Sequence, residues 1–466
     1  MNTKRLNFLP LILAVLMLGA CGGGDGTAAP PLEVRYFSAV SDGVNDFELW
    51  KTDGTEAGTV RVKDINLGPG GSDPFGFTVF NNALYFAAND GTSGHELWKT
   101  DGTEAGTVRV KEINPGAIES APRGFAVFNN ALYFSAFNAT SGWELWKTDG
   151  TEIGTVQVKD INTTAPGSGS FPVNFTAFNN ALYFSANDGT SGHELWKTDG
   201  TEAGTVRVKD INPGAGGSAH FSSFGLTVFN NALYFLANDG TSGMEFWKTD
   251  GTEAGTVRVK DINLGPGDSD PFGFTVFNNA LYFAANDGTS GIELWKTDGT
   301  EIGTVQVKDI NTAAGGGSRP IEFTVFNNAL YFAAHGGAAG YELWKTDGTE
   351  IGTVQVKDIN TTAPGSGSFP VNFTVFNNAL YFSANDGTSG AELWKTDGTE
   401  AGTVRVKDIN PGVDFGGPFD LIVLNSSLSF FANDGASGYE LWRSDGTEAG
   451  TVRVKDICPG PCSGTD

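Results

Sequence analysis

Three cysteines in 466 residues are too few for a disulfide-built fold, and four histidines leave little for a metal centre or for proton transfer. Basic residues are also short: 29 lysines and arginines stand against 54 aspartates and glutamates, a formal net charge of −25. That balance excludes nucleic acid, whose phosphates require a basic surface, and disfavours anionic headgroups. It suits solubility, a cationic partner or calcium. The long apolar run, Leu6 to Leu18, is too short to cross a bilayer. Helical periodicity is missing from the body of the chain, which excludes a bundle and an α/β sheet.

What the chain has is repetition. The phrase Glu-Leu-Trp-Lys-Thr-Asp-Gly-Thr-Glu-Ala-Gly-Thr-Val returns nine times with small changes, its tryptophans at Trp50, Trp98, Trp146, Trp196, Trp247, Trp295, Trp344, Trp394 and Trp442. The spacing is 48 to 51 residues, the range of stacked supersecondary units. In the copy from Phe77 to Ile113, Phe77–Phe80 is β-rich and Asn81-Asn82 is a two-residue turn tolerant of positive φ. Ala83–Ala88 is a continuously apolar strand, and Asn89–Gly94 is a turn cluster. Glu96–Thr100 is a third strand, Asp101–Gly106 turns again, and Thr107–Lys111 alternates apolar with basic, as a half-exposed outer strand does. Four antiparallel strands per unit predict an all-β fold, a β-propeller of about nine four-stranded blades. The alternatives are eight blades with a leftover unit, or an arc left open. Copy one starts at Val34, with little before it to make a first strand, whereas copy nine, Leu421 to Lys455, has all four. The propeller is expected to occupy 32–457. Phe75–Gly94 recurs unchanged at Phe272–Gly291, and Glu152–Thr176 at Glu350–Thr374, so the array looks grown by duplication of four-unit blocks.

The phrase resembles the ELWxxDGT repeat family of bacterial surface and secreted proteins, over about 420 residues. Copy five departs with Glu245-Phe246-Trp247 and copy nine with Arg443-Ser444. The resemblance implies an exported bacterial protein with a propeller-like repeat, and no catalytic activity.

The first twenty residues read as a secretory signal: Lys4 and Arg5 precede the apolar run, and Leu18-Gly19-Ala20-Cys21 resembles the bacterial lipobox. That resemblance implies a lipid on Cys21 and an anchored protein of the cell envelope, on the outer membrane or cell surface. Residues 21–31, rich in glycine and proline, suit a tether. In the tail, 458–466, Cys458 and Cys462 frame Cys-Pro-Gly-Pro-Cys, where a small disulfide loop would close the last repeat.

No catalytic residue or metal-ligand set stands out. His95 and His193 share one repeat position, while His220 and His335 fall elsewhere with no cluster around them, so an enzyme is disfavoured. The repeated tryptophan fits packing between blades, and Asp53-Gly54-Thr55 with its equivalents fits a turn in which the carboxylate accepts amides two residues on. No cofactor is implied; calcium is the ion that the oxygens of Asn89–Gly94 and Glu96 would suit. The copies differ most just before the third-strand glutamate, at Phe47, His95, Trp143, His193, Met244, Ile292, Tyr341, Ala391 and Tyr439. They also differ in the connections between units, such as Asn162 to Pro172. In an up-and-down blade both places emerge on one rim. Phe47, His95, Trp143, His193, Met244, Tyr341 and Tyr439 are therefore the candidate binding rim, for a protein or a glycan at the envelope. A carbohydrate-active propeller and a structural surface component are the alternatives.

Overall fold

In the computed structural model the repeats are blades. The structure describes residues 34–40, 46–68, 70–218, 225–313, 316–412 and 416–458, together with a two-residue strand at Val15–Leu16. Blade 2 shows the pattern, with strands Phe75–Phe80, Ala83–Asn89, His95–Thr100 and Val108–Lys111 hydrogen-bonded in that order. All nine sheets have four antiparallel strands in chain order, and no α-helix occurs among the described residues. First strands of successive blades lie beside one another at the centre, and the short fourth strands form the outer edge.

Local chemistry explains each element. Asn81 and Asn82 have φ of 47° and 61°, the double left-handed geometry of a tight hairpin, which asparagine adopts at small cost. The second strand, Ala83–Asn89, has five consecutive buried residues because neighbouring blades cover both its faces. A register shift between Leu97 and Trp98 turns the fourth strand, and the same shift recurs in the other blades. At Asp101-Gly102-Thr103 the carboxylate accepts the amide and hydroxyl of Thr103 at 2.9 and 2.7 Å, the turn that the motif predicts.

The core lies between blades. Leu84, Phe86, Ala88 and Trp98 of blade 2 pack on Tyr36, Leu49, Val62 and Ile65 of blade 1. The nine repeated tryptophans are all 6 to 8 % exposed, so they pack and offer no platform. Polar latches run alongside: Lys51 Nζ donates to Gly102 O at 2.8 Å, and a Cβ on Gly102 would lie 2.5 Å from the Tyr36 hydroxyl oxygen. With φ of +90° as well, that position admits only glycine.

The ring is closed and holds nine blades. Phe37, Ala39 and Trp50 of blade 1 share a core with Phe431, Leu441, Val454 and Ile457 of blade 9, and Lys455 Nζ donates to Thr59 O at 2.8 Å. Copy one, which the sequence left without an inner strand, has Val15–Leu16 paired there with Arg35 and Val34. An extended apolar dipeptide suffices because any backbone can satisfy an open strand edge.

Candidate binding rim

The start of each third strand and the inter-blade connection meet on one rim. What fastens them is the glutamate of the repeated phrase, buried in every blade. Glu144 accepts the amides of Ile161 at 3.0 Å, Asn162 at 3.4 Å and Ser170 at 3.0 Å, and the Ser170 hydroxyl at 2.6 Å. Glu48 does the same with Ile65, Asn66 and Ser72. Burial pushes the Glu144 carboxyl up to about 7 against the pull of these donors. The connection is thus tied to a carboxylate beneath it, and its tip is free to vary.

Just past the serine, the backbone turns left-handed before a proline: φ is 44° at Asp73, 39° at Ala121, 50° at Phe171, 41° at Asp270, 42° at Arg319 and 48° at Phe369. Amides here bond the carbonyl of the variable residue that opens the third strand. Phe171 N donates to Trp143 O and Phe369 N to Tyr341 O, both at 3.1 Å. The two variable positions therefore form a pair on the rim. Side chains follow suit: Phe369 stacks on Tyr341 at 5.2 Å between centroids, and Phe171 on Trp143 at 6.5 Å. Arg123 lies over the Trp143 ring at 3.8 Å. Phe369 is 59 % exposed and Phe171 36 %, though a bulky left-handed residue is strained. The sequence marks the connection as variable but does not single out this position within it. Its signal is a recurring Ser-x-Pro whose middle residue changes: Asp73, Ala121, Phe171, Asp270, Arg319, Phe369.

The predicted rim residues divide. Phe47, His95, Trp143, Tyr341 and Tyr439 are half-buried and reach the rim, as do Ile292 and Ala391 at the same position of blades 6 and 8. His95 pairs with Glu119 at 2.6 Å and packs on Phe75, and Tyr439 meets Phe419 edge-on at 5.4 Å. His193 and Met244 are 5 % exposed and offer almost no surface. Burial lowers the His193 imidazole to about 4, which keeps it neutral. His335 packs on Tyr341 at 5.4 Å. Cys21, His220 and Cys462 lie outside the described residues; Cys458 is buried and disulfide-bonded.

The opposite rim is less uniform than the phrase suggests. Ile153, Ile302 and Ile351, about 90 % exposed, replace its alanine in blades 3, 6 and 7. Single exposed apolar residues are ordinary, however.

The oxygens offered to calcium do not converge. Asp90 Oδ1 accepts Thr92 N and Oγ1 at 2.9 and 2.7 Å, and Oδ2 pairs with Arg109 at 3.0 Å. Burial pushes the Asp90 carboxyl up, but the hydrogen bonds from Thr92 and Ser93 outweigh it and hold the group at about 2. Glu96 faces the connection, accepting Ile113 N and Ser120 Oγ at 2.7 Å each. Among the described residues no cluster of three histidine, cysteine or carboxylate groups is placed to hold a metal. A hollow of about 390 Å³ lies at the first strands of blades 5 to 7, and its carboxylate, Glu322, accepts Asn372 N at 2.9 Å.

No family model matches the chain, and neither does any curated protein. Among solved structures it is similar to a computationally designed protein, Ika8, at 15 % identity and a TM-score of 0.41, covering 78 % of this chain and 94 % of that one. It is also similar to a puromycin hydrolase, at 13 % identity and a TM-score of 0.40, covering 79 % of this chain and 59 % of the other. A prolyl endopeptidase aligns at 10 % identity and 0.41, over 77 % of this chain and 54 % of its own.

Proposed function

We propose that the chain is a binding or scaffolding propeller of the bacterial cell envelope, lipid-anchored through Cys21, which takes a protein or glycan on the rim where its blades differ. One observation carries this reading: strained, solvent-facing Phe171 and Phe369 stack on the variable Trp143 and Tyr341. A fold that holds bulky residues left-handed and exposed stores strain where a ligand can use it. The exposed Leu67, Leu264 and Ile118 extend the apolar surface of the connections. The ELWxxDGT resemblance and the lipobox support the address. Processing before Cys21 would remove Val15–Leu16 and leave blade 1 with three strands.

The test is capture by the lipid-free mature chain on glycan arrays and from detergent-solubilised envelope. Replacing Trp143, Tyr341 and Tyr439 together by alanine should abolish capture; retention of every partner by that variant would remove the rim from the account. Labelled palmitate should enter the wild-type chain and not Cys21→Ser. Turnover of a polysaccharide would favour the carbohydrate-active alternative.

A further inference from the structure

Eight of the nine contacts between blades repeat one set of side chains, and the closing contact does not. At an internal contact a tyrosine such as Tyr85 fills the space against the next blade, beside a fully buried leucine such as Leu132 on that blade's second strand. At the seam, blade 9 carries Ser429 at the tyrosine position, and blade 1 carries Arg35 at the leucine position. Arg35 is fully buried. Its guanidinium donates to Ser429 Oγ at 3.1 Å, pairs with the Asp420 carboxylate, and lies 4.4 Å from the centroid of Phe431. Asp420 occupies the left-handed second place of its first strand, where blades 2, 3 and 6 have glycine. The lysine latch changes too, since Arg443 stands at the position of Lys51 and Lys99.

The geometry points to a closure code: Arg35 of blade 1 and the Asp420–Ser429–Phe431 face of blade 9 select each other, so that the two ends of a row of near-identical blades meet and the ring stops at nine. Each mismatch is penalised. Against an internal blade Arg35 would meet a tyrosine, and only blade 7, with Glu322 in the place of Asp420, would offer a carboxylate, one already bonded to Asn372 N; elsewhere the charge would be buried bare. Blade 9 docked on a leucine would leave a hollow at Ser429 and an unpaired Asp420. Such a code is needed because identical neighbours exchange during folding. Fixing register is also the best-attested use of a buried ion pair.

The experiment is refolding from denaturant over a range of chain concentrations, with the monomer fraction read by size exclusion and light scattering. The quadruple variant Arg35→Leu, Asp420→Asn, Ser429→Tyr, Phe431→Ala rewrites the seam as an internal contact. It should refold to monomer in several-fold lower yield than the wild type, with a ladder of exchanged oligomers. A variant that returns to monomer as completely as the wild type would overturn the code. A double-mutant cycle on Arg35→Leu and Asp420→Asn guards against simple failure to fold. The code requires the double variant to lose clearly less melting temperature than the two single losses added; strict additivity would also overturn it.

Discussion

At the scale of single residues, constancy and function part company in this molecule. Glu144 and its eight counterparts keep no contact with solvent and serve the backbone of the connections. Glu144→Ala would leave buried amides without an acceptor and should cost about 1–3 kcal/mol in denaturant unfolding, with the variable loop of blade 3 the first segment to exchange its amides. The same carboxyls set a pH dependence. Burial raises Glu96, Glu144, Glu245, Glu342, Glu392 and Glu440 to about 7 from an ordinary 4.5. Unfolded chains release these protons first, so the folded state holds more of them between the two values. Stability should therefore fall as pH rises from about 4.5 to about 7 and level off above. The slope should survive high salt, which screens the general repulsion of a chain at −25 but not a buried group. A melting temperature that is flat or rising across that window would contradict this assignment. Trp98 tests the packing claim: Trp98→Ala should cost about 3–5 kcal/mol, and a loss below 1 kcal/mol would mean that the indole is not core.

At the scale of elements, the second and third strands and the Asn-Asn hairpin were legible because local chemistry decides them. Asn81 and Asn82 need no tertiary help to adopt left-handed φ, and the apolar run from Ala83 leaves one reading. The Asp-Gly-Thr turn was legible for the same reason. The left-handed residue before proline was not. Proline ordinarily drives its predecessor to extended backbone, and here two bonds to the Trp143 carbonyl, from Ser170 N and Phe171 N, override that preference. The role of the repeated glutamate was equally hidden, since its partners lie 17 to 26 residues further on. His193 and Met244 illustrate the limit of reading exposure from variability: both positions vary, and both side chains turn inward. At Phe369 the account predicts a trade. Phe369→Asn accepts left-handed backbone more readily and should leave stability within about 1 kcal/mol of the wild type, while removing the ligand's aromatic contact.

At the scale of the whole molecule, closure was the feature that repetition concealed. The changes that close the ring, Arg35 and Ser429, look like drift when the copies are aligned and become a matched pair once blade 9 meets blade 1. Similarity among the other eight contacts makes the body of the ring a uniform scaffold, so the rim can vary blade by blade without disturbing the core. Function should then follow the rim alone. The most direct measurement compares capture of envelope glycans and proteins by three lipid-free chains: wild type, the Trp143, Tyr341 and Tyr439 triple alanine variant, and a matched variant with Ile153, Ile302 and Ile351 changed to alanine on the opposite rim. The account predicts capture by the first and third and none by the second, all three melting alike. Capture by the triple alanine variant, or its loss in the isoleucine variant, would contradict it.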